Sequence, residues 1–526
     1  MVQTNGPIYS AFINKKDENG KRVYDAQARK CVQETVDALL TKTTTPDNPG
    51  MLLGKIQSGK TRTFLGVIAL AFDNGFDVAV VFTKGTNALA QQTLARLNKD
   101  FKTEIAGDLL HIFDIMSLPD PLAEYELQHK LIFVCKKEDD NIRRLDNAIF
   151  HTNTALADKR ILLIDDEADF ASIGFRRTQA EGIKINKIAS QLDALRRRLS
   201  HVDVLQVTAT PYSLYLQPDT MTIPATQETF LPVKPAFTRL VPIHDKYIGG
   251  EYYFEESLEA DSVASYLHIP VDPNELAVLK NEDRRRFKIE EALTSPGITS
   301  LRRAIVTFIV GGYIRQWQEV SEGRQRPKYS FIVHTETKKN AHEWQERIVE
   351  QIVARMKSAV KTGNKVVRAL IEAAHTDLSA SVQLMKGPTP TVDQIYAALD
   401  QVLPMVNYTR VNSEKDVLAM LDESGQLKLR TPFNIFIVGQ ILDRGLTIAN
   451  LIGFFYGRSP KRFQQDTVLQ HSRMYGVRPK EDLAVTRFYT TLDIYSAMRN
   501  IHEFDSALRQ NFEQGGDQAG VVVSPR

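Results

Sequence analysis

Apolar and polar positions alternate along this chain in two rhythms. Tyr24 to Leu40 predicts a helix, because Ala28, Val32, Val36 and Leu39 recur at helical spacing, and Arg62 to Phe72 predicts another. Short apolar, β-branched runs at Asp77 to Phe82, Lys130 to Cys135, Arg160 to Ile164 and Val202 to Val207 predict strands. Between them, Ala88 to Leu97, Asn141 to Leu156 and Ile188 to Leu199 predict helices. Such alternation implies a parallel sheet covered on both faces. It stops at Tyr212. From there to about Thr299, prolines at 218, 224, 232, 235 and 242 and a charged stretch from Asn281 to Glu291 predict an insertion. It resumes with a helix at Leu301 to Gln318, a strand at Tyr329 to His334, a helix at Ala341 to Met356 and a strand at Phe433 to Val438. The expected organisation is a first domain over 1–215, an insertion over 216–300, a second domain over 301–500 with a helical elaboration at about 357–429, and a tail over 501–526.

Composition changes this picture little. A chain of 526 residues exceeds one typical core, and 43% hydrophobic with 25% charged residues is ordinary globular usage. Lys+Arg 66 against Asp+Glu 64 gives a net charge of +2, which neither demands nor excludes nucleic acid. The two cysteines, Cys31 and Cys135, lie far apart with no Cys-x-x-Cys or Cys/His partner spacing, so neither a disulfide framework nor a zinc site follows. The first residues lack a basic region followed by an apolar core, and the longest apolar run, Ala304 to Ile314, is too short to span a bilayer. The expectation is a cytoplasmic protein without a membrane partner.

The chemistry concentrates at two strand ends. Gly54 to Thr61 reads Gly-x-x-x-x-Gly-Lys-Thr and opens the helix at Arg62. Backbone N–H groups of such a turn, here Gly54, Gln57, Ser58 and Gly59, face a phosphate, Lys60 reaches the β/γ oxygens, and the Thr61 hydroxyl can ligate Mg²⁺. A glycine-containing surface turn is the bland alternative. The strand at Ile161 to Ile164 runs straight into Asp165-Asp166-Glu167-Ala168-Asp169. In an open parallel sheet these acids emerge beside the phosphate turn, where Asp166 can hold Mg²⁺ and Glu167 can orient the attacking water; a solvated acidic turn is the competing reading. Arg196, Arg197 and Arg198 point in different directions on a helix and read as a solvated face rather than a phosphate track. His334, at a strand end, reads first as a capping or satisfied core histidine.

Gly54 to Thr61, Asp166-Glu167-Ala168-Asp169 and Thr208-Ala209-Thr210-Pro211, in this order on alternating strands, resemble motifs I, II and III of superfamily 2 helicases. More narrowly, Gly-Lys-Ile-Gln-Ser-Gly-Lys-Thr, Ile-Asp-Asp-Glu-Ala-Asp-Phe-Ala-Ser and Thr-Ala-Thr-Pro-Tyr resemble the helicase-related proteins that carry the Z1 domain. Gly439 to Ile448 resembles motif V, with Asp443, Arg444 and Gly445 as nucleotide contacts, although Gly439-Gln440 stands where Thr-Asp is usual. Asp466 to Arg478 resembles motif VI, with Gln470 at the nucleotide and Arg473 and Arg478 as the arginines offered to the γ-phosphate, Arg478 as the expected finger because the motif ends on an arginine and Arg473 as its support. These arginines stand three and eight residues after the glutamine, where four and seven are usual.

The resemblance covers roughly residues 25–215 and 325–480. It implies an α/β fold of two RecA-like parallel-sheet lobes with insertions between and within them, binding ATP and Mg²⁺. The implied function is an ATP-dependent nucleic-acid translocase or helicase, DNA favoured over RNA, in a bacterial restriction or antiphage defence system. Glu167, Arg478 and Arg473 are the expected catalytic groups. A nucleotide-gated switch recruiting an effector or nuclease protein is the alternative. A nuclease centred on Pro119-Asp120 and Gln128-His129-Lys130 is the weakest reading, because short patterns of this kind arise often by chance.

Overall fold

The computed structural model describes the chain except residues 1, 17–19, 46–47, 85–86, 169–174, 179–181, 186, 210–220, 223–228, 231–234, 337, 423–425, 440–447, 459–473 and 516–526. It divides into two compact units, Met1–His244 with the stretch from Asp505, and Asp245–Asp422 with Gln426–Phe504.

The first unit is built on seven strands: β1 (Gly50–Leu53), β2 (Val78–Thr83), β3 (Leu110–Asp114), β4 (Lys130–Lys136), β5 (Ile161–Asp166), β6 (Val202–Thr208) and β7 (Phe237–Leu240). They form one sheet in the order β7-β1-β6-β5-β2-β4-β3, every pairing parallel. Side chains alternate between two cores. Ala79, Val81, Leu162 and Ile164 pack with the helices Ala26–Thr41 and Lys60–Asp73 on one face. Val78, Val80, Ile161 and Leu163 pack with the helices Asp139–Asn147 and Lys187–Arg198 on the other. Both faces are therefore buried, which is why these strands read as unbroken apolar runs.

The second unit repeats the plan with six parallel strands: β8 (His268–Pro270), β9 (Tyr329–His334), β10 (Val406–Val411), β11 (Phe433–Val438), β12 (Leu451–Tyr456) and β13 (Arg487–Thr490), ordered β8-β13-β12-β9-β11-β10. The helices Thr299–Ser321 and Lys339–Lys361 supply much of its core. Two parallel α/β sheets flanked by helices are the RecA-like architecture the sequence led us to expect.

The expected insertion at 216–300 is corrected. Its Phe237–Leu240 stretch is β7, in parallel register with Gly50–Leu53, and its His268–Pro270 stretch is β8, in register with Phe488–Thr490. The segment completes an edge of each sheet. Strands of four and three residues carry too few positions for a period-two signal, and prolines that read as breakers are tolerated at sheet edges. The elaboration at 357–429 likewise yields an edge strand, β10, after its helices. The expected tail is helical to Gly515, in a helix that begins at Leu492. No helix among the described residues is long and apolar enough to cross a membrane.

Candidate nucleotide site

Three neighbouring strands, β1, β6 and β5, deliver the sequence motifs to the carboxyl end of the first sheet. Leu53 lies opposite Thr208, and Asp166 lies opposite Val207, so the strands end at the same level. The end of β6 then fastens both flanking turns. Thr208 O accepts from Gly54 N at 3.0 Å, and Val207 O accepts from Ala168 N at 3.1 Å. The strand end that leads into the segment resembling motif III thus ties the two turns together through its backbone. Thr210 and Pro211 lie outside the described residues.

The turn after β1 has the backbone its composition requires. Gly59 caps the helix Lys60–Asp73 at φ 99°, in the left-handed region that favours glycine, and Gln57 sits at φ 57°. A Cβ on Gly54 would fall 2.3 Å from Lys60 Cγ and 3.0 Å from Ser58 Oγ, so only glycine lets the Lys60 side chain fold back over the turn. Lys60 Nζ donates to Lys55 O at 3.0 Å, which holds the ammonium across the mouth of the turn. Ser58 Oγ is buried and makes no hydrogen bond. A buried hydroxyl without a partner beside an ammonium and a helix N-terminus is a donor set suited to an anion. Thr61 opens the helix one residue on and is partly exposed.

The acidic turn separates its carboxylates by strand alternation, since successive residues of β5 face opposite sides. Asp165 is fully buried, 2.8 Å from Lys137 Nζ and 3.5 Å from Arg196 Nη2. Lys137 also donates to the carbonyls of Asp166 and Glu167, each at 3.0 Å. Asp166 faces the other way, and its Oδ1 accepts from Glu167 N at 3.0 Å. Burial, reinforced by the neighbouring Glu167, pushes the Asp166 carboxyl up to about 6, against the pull of Lys60 and Lys137. A carboxylate that is costly to ionise alone, near a lysine of the phosphate turn, fits a site for a divalent cation. Glu167 stands at φ 54° with its carboxylate 3.7 Å from Lys84 Nζ. Gly54, Gln57, Ser58, Gly59, Lys60, Thr61, Asp166 and Glu167 therefore lie together at the carboxyl end of one sheet.

Sequence reading missed Lys84 and Lys137, each just beyond the end of a strand, where a lysine gives no signal until the neighbouring strands are aligned. It also read Arg196 as solvated, whereas its side chain is buried against Asp165; Arg198 is exposed and pairs with Asp146. Arg509, in the expected tail, donates from Nη2 to Gly54 O at 3.0 Å and pairs with Asp505 at 2.9 Å. Only tertiary contact reveals it.

In the second unit, His334 is fully buried in the core and its Nδ1 lies 2.7 Å from Val438 O. Arg478 is buried as well. Its Nε donates to Met474 O at 3.0 Å and its Nη1 to Leu451 O. Arg473, Gln470, Asp443, Arg444 and Gly445 lie outside the described residues. Of the nuclease pattern, Lys130 is engaged with Asp77 at 3.0 Å and with Phe76 O at 2.7 Å, which leaves it structural.

Residues 300–521 match the family model of the Z1 domain. The matched stretch takes in most of the second unit and the segments resembling motifs V and VI. Comparison with curated proteins gives no match. Among solved structures, the chain is similar to the DUF1998 helicase MrfA bound to DNA, with 11% identity and a TM-score of 0.47 over 99% of this chain and 55% of that one. It is also similar to the Mycobacterium smegmatis helicase Lhr bound to single-stranded DNA and AMP-PNP, with 12% identity and a TM-score of 0.37 over 95% of this chain and 51% of that one. The chain thus spans about half the length of each of these two proteins.

Proposed function

We propose that this protein hydrolyses ATP·Mg²⁺ and couples hydrolysis to movement along nucleic acid, DNA in preference to RNA. One observation carries the reading: the phosphate turn and the acidic turn flank a single strand, β6, whose terminal carbonyls bond to both. In this reading Lys60 and the turn hold the phosphates, Thr61 and Asp166 hold Mg²⁺, and Glu167 orients the attacking water. The cation would neutralise charge that develops on the transferring phosphoryl group. Against the order expected from the motif, Arg473 is the arginine we assign to the γ-phosphate, with Arg478 as its support, because the Arg478 guanidinium is already committed to two carbonyls. Asp443, Arg444, Gly445 and Gln470 are proposed nucleotide contacts on the strength of the motif resemblance alone. A restriction or antiphage defence role, with an effector or nuclease protein as partner, rests on the Z1 resemblance.

ATP hydrolysis measured in parallel with single-stranded DNA, duplex DNA and RNA tests the proposal. Stimulation by DNA above RNA is expected. Hydrolysis that no nucleic acid alters would favour a nucleotide-gated switch, and absence of hydrolysis under all conditions would sink the ATPase assignment.

A further inference from the structure

At the edge of the first sheet opposite the phosphate turn, three side chains converge that the nucleotide chemistry does not use. Asp108 lies in the turn after the short helix Lys102–Ala106, His111 is the second residue of β3, and His129 immediately precedes β4. His111 pairs across the parallel ladder with Leu131, so residue 129 lies two positions before its partner and on the same face. The two imidazole centroids are 5.2 Å apart. Asp108 reaches both rings, Oδ1 at 3.5 Å from His111 Nε2 and Oδ2 at 3.6 Å from His129 Nε2. One ligand atom from each residue lies within 4.8 Å of the other two.

The hydrogen bonding points to a cation among them. His129 Nδ1 is 2.8 Å from Tyr125 O, an acceptor, so Nδ1 carries a proton and in the neutral ring Nε2 turns its lone pair towards Asp108. His111 Nε2 is buried and makes no hydrogen bond. The His129 Nε2 lone pair and the carboxylate are opposed acceptors unless positive charge lies between them. The spacing suits a metal: bonds of about 2.1 Å in a tetrahedral set place neighbouring ligand atoms about 3.4 Å apart. The surroundings resemble an outer shell, with a ligand histidine donating its other N–H to a carbonyl and the carboxylate accepting from the Tyr125 hydroxyl. Asp108 is half exposed, which leaves a route for an ion.

We propose that Asp108, His111 and His129 bind one divalent transition-metal ion, zinc by ligand type, with water completing four-coordination. The ion would join the turn before β3 to the start of β4, stabilising this edge of the sheet far from the nucleotide.

The test uses the full chain, stripped with a chelator and titrated with Zn²⁺ against a chromophoric competitor, with Co²⁺ as a spectroscopic probe. One equivalent of Zn²⁺, the visible absorption of tetrahedral Co²⁺ and a zinc-dependent rise in Tm are expected. Asp108→Asn and His129→Gln should each weaken Zn²⁺ by at least about tenfold with unchanged circular dichroism, whereas Asp166→Asn should retain it. If a variant fails to fold, the wild-type Co²⁺ spectrum decides, since without nitrogen and oxygen ligands in tetrahedral array its intense bands do not form. No stoichiometric binding, equal affinity in the folded variants, or a Tm that responds to acidification but not to zinc would overturn the proposal, leaving protonated histidines paired with Asp108.

Discussion

Lys137 and Asp165 form a buried ion pair at 2.8 Å, with side chains 5% and 1% exposed. This pair sets the register of the acidic turn, because it holds Asp165 in the core while Asp166 and Glu167 stay near lysines of neighbouring turns. Removing one partner of a buried pair strands the other charge, so Lys137→Met should destabilise the first unit by about 3–5 kcal/mol. Adding Asp165→Asn should recover part of the loss. Thermal unfolding of the single and double variants checks this, and a single variant as stable as wild type would show that Arg196 alone satisfies Asp165.

Lys60→Ala should weaken nucleotide binding and abolish turnover, whereas Glu167→Gln should bind ATP normally and hydrolyse it slowly, because a water-orienting carboxylate acts mainly in the transition state. Binding of a fluorescent ATP analogue and phosphate release separate the two effects. Wild-type turnover by either variant contradicts the assignment.

Gly54→Ala isolates the turn from its lysine. The added Cβ meets the Lys60 side chain, not the backbone, so the expected outcome is a folded protein with an unchanged Tm and nucleotide affinity lowered by an order of magnitude or more. Normal affinity would mean that the Lys60 position seen here is not the binding one.

Arg478→Ala and Arg473→Ala should differ in kind. Arg478 is buried and bonded to the carbonyls of Met474 and Leu451, so its loss leaves buried acceptors unpaired and should lower the Tm of the second unit. Arg473→Ala should preserve Tm and ATP affinity and reduce turnover by orders of magnitude. Turnover lost with Tm intact in the Arg478 variant would reverse the two roles.

Burial pushes the Cys31 thiol up to about 11 and Cys135 higher still. A raised thiol pKa disfavours the reactive thiolate, so at pH 8 only about one Cys31 in a thousand is ionised. Alkylation of the native protein by iodoacetamide at pH 8 should therefore be slow, and labelling of each cysteine should report the opening of its surroundings. Rapid labelling of Cys135 in the native state would show that this core strand opens readily.

The central strands were legible in the sequence because parallel strands buried on both faces must be apolar throughout, as Val78–Thr83 and Phe433–Val438 are. The phosphate turn was legible too, since Gly59, Lys60 and Thr61 act through local backbone geometry. Leu451–Tyr456 was missed although every residue is buried, because Gly453 reads as a breaker; in the fold it makes room for the Phe331 ring, which a Cβ would approach to 2.3 Å. Edge strands such as Phe237–Leu240 exist only because a neighbour offers its backbone, and four residues carry no pattern of their own. The same holds for Lys137, Arg196 and Arg509, whose burial and partners depend on residues far away in the chain. Sequence by itself pointed to the groups proposed for phosphate and Mg²⁺ and determined which central runs build the sheets. The tertiary structure alone decided that Asp165 is held in a buried ion pair with Lys137, that Arg478 is anchored, and that Asp108, His111 and His129 meet, because each depends on strand register and on which residues the fold brings alongside.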